Sequence, residues 1–154
     1  MTLLKKFPIL HNGWFVTATA LFVVDRLCKY WSLRGHSYFV GEAVAFWYFR
    51  NTGIAFSLPL ASAIFWPAAI TIFVLLAVLF ARAFRSDFTR AGLYWMVLLG
   101  ANSNLMDRWY TGATSDYLIF FNRSAVNVAD GMIIVALCML CFAKPSRQVN
   151  AADS

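Results

Sequence analysis

LASAIFWPAAITIFVLLAVLFA, running from Leu60 to Ala81, contains no charged residue. As a helix rising about 1.5 Å per residue, it matches the roughly 30 Å hydrocarbon core of a bilayer. It predicts a spanning helix, and three further segments fit the same frame. Spans are expected at about 8–30, 60–81, 90–107 and 125–143, forming one integral membrane domain over residues 1–154. The first is free of charge until Asp25, Asp107 closes the third, and the fourth holds one acid, Asp130, near its start.

Composition agrees with this reading. Hydrophobic residues make up 61% of the chain and charged ones 13%, against about 25% charged in an ordinary soluble domain. A chain of 154 residues cannot enclose so much apolar surface. That argues against a soluble globular protein, a disordered chain and a disulfide scaffold, and for lipid as the solvent. Cys28, Cys138 and Cys141 lie in apolar surroundings and read as helix-face residues.

Charge sets an expected orientation. With both termini cytoplasmic, the inside holds Lys5, Lys6, Arg82, Arg85, Arg90, Lys144 and Arg147. The outside holds Arg34, Arg50, Arg108 and Arg123. The net charge of +6 then anchors the chain at an anionic leaflet, and no nucleic acid is expected. Acids show the opposite bias, with Asp25, Glu42, Asp107, Asp116 and Asp130 at or beyond the outer face. Acids near hydrocarbon are costly and usually serve a purpose, so chemistry is expected at the extracytoplasmic mouth. Of the two outside connections, the one at about 34–58 carries the β-prone run Val44–Phe49 and the turn signal Asn51-Thr52-Gly53. It predicts a small β-cradle on the membrane surface. The other, Trp109–Arg123, reads as a shorter connection carrying Asp116.

Four constellations carry polar chemistry. Asp25 and Lys29 are four apart on one helix face and can pair. Arg50 to Ser57 has the small residues of a tight turn, where backbone can approach a ligand. Gly100 to Arg108 places Asn102, Asn104, Asp107 and Arg108 at the end of a span, with Asn104, Asp107 and Arg108 sharing a face. Asp116 and Asp130 lie at the same side of the membrane, joined by a short connection. As a structural alternative, Asp130 caps a helix and Asp116 is a solvated loop residue. As chemistry, two close carboxylates share a proton, so that one accepts from water while the other donates to a carbonyl oxygen. The chain has no HExxH motif and only His11 and His36, so no metal and no cofactor is expected.

In this order, the motifs resemble those of the bacterial lipoprotein signal peptidases, the signal peptidase II family. Asp25 and Lys29 match the family's D-x-x-x-K, and Asn51-Thr52-Gly53-Ile54-Ala55-Phe56-Ser57 its N-x-G-x-A-F-S. Asn104-Leu105-Met106-Asp107-Arg108 matches N-x-x-D-R. Asp116-Tyr117-Leu118 matches D-[FY]-[IL], and Asn127-Val128-Ala129-Asp130 matches N-x-A-D.

The resemblance implies a metal-independent aspartic endopeptidase of the inner membrane, working as a monomer at the periplasmic side. Its partners would be membrane lipid and a prolipoprotein whose cysteine carries a diacylglyceryl group. It implies Asp116 and Asp130 as catalytic residues. Asp25, Lys29, Asn51, Gly53, Asn104, Asp107, Arg108 and Asn127 would bind substrate or support the dyad. Some positions depart from the family pattern. Leu99 and Ser103 stand where glycines are usual, Val126 where Phe is usual, Ile54 for Ala and Gly131 for Ser. The larger side chains at 99 and 103 are expected to narrow the helix packing or the substrate cleft. They keep open a non-catalytic paralogue that holds lipidated peptides without cutting them.

Overall fold

The computed structural model describes residues 13–40, 43–53, 62–121 and 123–142. Their elements, in chain order, are helix α1 (Gly13–Leu33), strands β1 (Tyr38–Val40) and β2 (Val44–Asn51), and helices α2 (Ser62–Ser86) and α3 (Phe88–Thr111). Strands β3 (Thr114–Phe120) and β4 (Ser124–Val126) follow, then helix α4 (Val128–Phe142). The opening of the first expected span, cradle residues 54–58, and the terminal charges used for orientation lie outside the described residues.

Among the described residues one helix, Ala63–Ser86, is long and apolar enough to cross a membrane, and Val128–Phe142 is a shorter apolar helix. The other two helices carry charge in their sequences: Asp25, Arg26 and Lys29 on α1, Arg90, Asp107 and Arg108 on α3. That charge is largely turned inward and paired within the protein.

Helix α3 is the hub, packed against α1, α2 and α4. Small residues allow the close approach, as in helix pairs that have no hydrophobic drive from water. Ala18, Ala91, Ala129 and Ala136 are fully buried. At Gly100 a Cβ would stand 2.8 Å from the Ala129 carbonyl oxygen and 2.9 Å from Ile133 Cγ1. Glycine there sets the distance between α3 and the first turn of α4. Ala18, Leu93, Met96, Val97, Met132 and Ala136 form the main core. In a second cluster, Phe15 sits among Phe80, Phe84 and Phe88, with ring centroids 6.2–6.3 Å apart.

Both ends of α3 are capped. Asp87 accepts the Arg90 N–H at 3.0 Å as N-cap. Gly112 closes the helix at φ 71°, in the left-handed region, with its N–H on the Arg108 carbonyl. The chain therefore turns directly from α3 into β3.

The sheet has the order β1-β2-β3-β4, antiparallel throughout. The cradle is thus wider than the sequence suggests. The second connection, which reads in sequence as a shorter link carrying Asp116, supplies strand β3. Its polar lead, Thr114, Ser115 and Asp116, looks like a loop in sequence, yet all three side chains are buried. Strand β4 takes Ala125 and Val126 from the start of the expected fourth span, because these residues pair with β3.

Candidate active site

Strand register brings the site together. Phe49 lies opposite Asp116 and Asn51 opposite Thr114, so Asn51 is a diagonal neighbour of Asp116 on the same face. The Asn51 Nδ2 donates to Asp116 Oδ2 at 2.9 Å, while its Oδ1 accepts the Gly53 N–H at 3.1 Å. On the other side of β3, Leu118 pairs with Val126. The hairpin thereby carries the chain back past Asp116 and delivers Asn127 beside it. The Asn127 Nδ2 donates to Asp116 Oδ1 at 2.7 Å.

Asn127 also starts α4. Its Oδ1 accepts the Asp130 N–H at 2.9 Å, and Asp130 Oδ2 accepts the Asn127 N–H at 3.2 Å. This is a reciprocal capping box in which Asp130 takes the third helical position. The cap expected from Asp130 itself therefore belongs to Asn127. Asn104 completes the cage by donating its Nδ2 to Asp130 Oδ1 at 2.8 Å. Each carboxylate oxygen of the pair thus receives one N–H, and Asn127 bonds both residues.

The amides are held in one orientation. The Asn104 Oδ1 accepts from Lys29 Nζ at 2.9 Å and from Asn127 Nδ2 at 3.2 Å. An ammonium has no lone pair to offer, so the Asn104 amide nitrogen must face Asp130. Burial pushes the Asp116 carboxyl up to about 6, and the Asp130 charge adds to the rise, while the Asn51 and Asn127 hydrogen bonds oppose it.

Behind this cage lies a second polar layer. Lys29, wholly buried, meets Asp25 Oδ2 at 3.1 Å and Asp107 Oδ2 at 2.8 Å. Arg26 meets Asp107 Oδ1 at 2.6 Å. Two cations and two carboxylates balance, as buried charge requires. The backbone N–H of Ser115 also donates to Asp107 Oδ2 at 3.1 Å. The pairing of Asp25 with Lys29 is as the four-residue spacing predicts. The shared face expected for Asn104, Asp107 and Arg108 divides in two. Ser103 and Asp107 turn toward α1. Asn104 and Arg108 turn toward the dyad and Gly53. Arg108 donates to the Gly53 carbonyl, with its guanidinium 4.6 Å over the Phe65 ring. Asn102 is directed to the Met106 sulfur, away from the cage.

Three residues in this site were given no role from sequence. The first is Arg26, which ties α1 to Asp107 of α3. Ser103 was expected to narrow the packing or the cleft. Its hydroxyl instead donates to Asp25 Oδ2 at 2.6 Å and accepts from Lys29 and Arg26, each at 3.2 Å. Tyr117 was quoted only as part of a motif. Its hydroxyl donates to Asp25 Oδ1 at 2.9 Å and accepts the Val128 N–H at 3.1 Å. A tyrosine in an apolar strand needs a partner for its hydroxyl, which is the one signal that pointed to it.

This arrangement is that of an aspartic hydrolase held at a helix–sheet junction. Residues 17–144 match the family described as signal peptidase (SPase) II. The lipoprotein signal peptidase of Psychromonas ingrahamii is 28% identical over 156 residues, covering 88% of this chain and 90% of that one. That of Shewanella pealeana is 34% identical over 137 residues, covering 79% of each. In fold, the chain is similar to a bacterial membrane enzyme solved by the in meso method, with TM-score 0.69 and 17% identity, covering 84% of this chain and 85% of that one. The chain belongs to the signal peptidase II family. It is a signal peptidase of the aspartic type and a membrane enzyme.

Proposed function

We propose that the protein removes the signal peptide from prolipoproteins whose cysteine already carries a diacylglyceryl group, with Asp116 and Asp130 as the catalytic pair. The observation that carries this reading is Asn127, which hydrogen-bonds both carboxylates while capping the helix that bears one of them. One carboxylate takes a proton from water as the water oxygen attacks the scissile carbonyl carbon. The other carboxyl gives its proton to the carbonyl oxygen. As the tetrahedral intermediate collapses, the proton taken from water passes to the amide nitrogen and the C–N bond breaks.

The remaining residues have supporting parts. Asn51, Asn104 and Asn127 hold the dyad, and Asp25, Lys29 and Asp107 brace it from behind. Arg108 and Gly53 line the approach for the peptide. In this reading all four helices span the inner membrane, with both termini cytoplasmic and the dyad at the periplasmic edge. Support comes from the exposed apolar faces of α1, α2 and α4, among them Val23, Leu27, Ile70, Ile72, Val74 and Ile134, a surface that water does not favour. The enzyme then acts as a monomer, and its lipidated substrate arrives through the bilayer.

The test is a gel-shift cleavage assay in detergent. A diacylglyceryl-modified prolipoprotein and its unmodified form are offered separately. Cleavage of the modified form alone, lost in Asp116→Asn and in Asp130→Asn while both variants still bind it, is the expected result. Near-normal cleavage by either variant would sink the dyad assignment. Stable binding without product by the wild-type chain would favour the non-catalytic paralogue.

A further inference from the structure

Strand β3 carries Asp116 and helix α4 carries Asp130. A bond between those two elements is therefore a bond between the halves of the dyad. Among the described residues, besides Asn127, one side chain makes such a bond, and it belongs to the residue next to Asp116. Tyr117 is 1% exposed. Its hydroxyl accepts the Val128 N–H, the first of α4, at 3.1 Å. The same hydroxyl donates to Asp25 Oδ1 at 2.9 Å, and that oxygen accepts the second N–H of α4, Ala129, at 3.1 Å. Strand and helix are thus joined through one hydroxyl, directly and by way of Asp25. The Phe46 ring, 5.4 Å away on the neighbouring strand, packs against the Tyr117 ring.

We infer that the Tyr117 hydroxyl is a positioning residue for the reaction, fixing the strand that bears Asp116 relative to the helix start that bears Asp130. The inference rests on the dyad proposed above. A phenylalanine would fill the same space and keep the ring contact, but would lose both bonds. Asp25 would keep Lys29, Ser103 and Ala129 as donors, and the half-buried Val128 N–H would be left without its acceptor. A displacement of about 1 Å between reacting groups costs up to a hundredfold in rate. The hydroxyl therefore acts on the chemical step, and the exposed apolar faces of the helices are untouched by its loss.

Two substitutions separate positioning from simple stability. Tyr117→Phe is expected to lower kcat at least tenfold with KM unchanged, and to lower Tm. Val128→Pro removes the orphaned N–H, and proline is well tolerated at a first helical position. Adding it to Tyr117→Phe is expected to restore Tm while kcat stays low, because the tie through Asp25 is still missing. The double variant also provides a folded sample if Tyr117→Phe alone does not fold. Recovery of kcat together with Tm would overturn the inference, as would an unchanged kcat or a loss confined to KM. Asp116→Asn run alongside keeps the two readings apart. If it still cleaves, the dyad assignment has failed. If it is inactive while Tyr117→Phe keeps full kcat, only the present inference has failed.

Discussion

Asp25 of α1 accepts the Ala129 N–H of α4 at 3.1 Å, across 104 positions of sequence. The first helix therefore supplies a cap to the last one. With Tyr117 on the Val128 N–H and Asn127 on the Asp130 N–H, side chains satisfy the N–H groups of the first three residues of α4. The first N–H groups of a helix have no intrahelical acceptor. Here they are spent on fixing the position of Asp130.

Asn104→Ala removes the donor to Asp130 Oδ1 and an acceptor of Lys29. The expected outcome is a loss in kcat of about a hundredfold, in line with removing an oriented polar group from a catalytic site, with substrate binding retained. Steady-state cleavage of the lipidated substrate checks it, and a change in KM alone would refute the assigned role.

Lys29→Met leaves Asp25 and Asp107 with only Arg26 for balance. Breaking a buried pair on one side costs about 3–5 kcal/mol, so a pronounced fall in Tm is expected. Asp25→Asn added to Lys29→Met restores neutrality. The double variant is expected to unfold at a higher temperature than Lys29→Met. A double variant less stable than the single one would show that hydrogen-bond geometry outweighs charge balance in this layer.

Gly100 and Ser103 call for substitutions of opposite size, and both are expected to destabilise. Gly100→Ala drives a Cβ against the Ala129 carbonyl at 2.8 Å. It should cost about 1–3 kcal/mol and depress cleavage by displacing the start of α4. Ser103→Gly restores the residue usual in the family, yet removes a hydroxyl with three partners. It should destabilise by about 1–2 kcal/mol. Thermal unfolding of both variants in one detergent is the measurement, and a more stable Ser103→Gly would contradict this reading.

The Asp116 carboxyl is raised from 3.8 to about 6, which gives a signed pH dependence. The folded protein holds this proton more tightly than the unfolded chain does. Stability from this group is thus full below pH 3.8, falls as pH rises toward about 6, and is level above. Asp116→Asn does not titrate. Its Tm relative to wild type is expected to rise through that window and then plateau, with activity absent throughout. A Tm difference independent of pH would show that the carboxyl titrates alike in both states.

The parts legible from sequence are those that local spacing determines. Asp25 and Lys29 pair because four residues make one turn, and the long apolar run of α2 predicts its helix from composition alone. Asn51 and Asp116 are different, since their contact depends on a strand register set by a hairpin that the polar run Thr114-Ser115-Asp116 disguises as a loop. Lys29 likewise shows its i,i+4 partner in sequence but hides Asp107 and Asn104, which packing of α1 on α3 provides. At Ser103 the sequence shows only a side chain larger than glycine, whereas the partner of its hydroxyl, Asp25, comes from the packing of α1 on α3.

The long reach of Asp25 also bears on biosynthesis. A chain is made from its N-terminus, so α1 leaves the ribosome with Asp25 and Lys29 matched only to each other. Asp107 and Asn104 arrive much later, and Tyr117 and Ala129 only as translation nears its end. Until α4 emerges, Asp116 lacks Asn127 and there is no second carboxylate. On the proposed dyad, a nascent or stalled chain is expected to carry no proteolytic capacity, and hydrolysis to begin only after the last helix has docked.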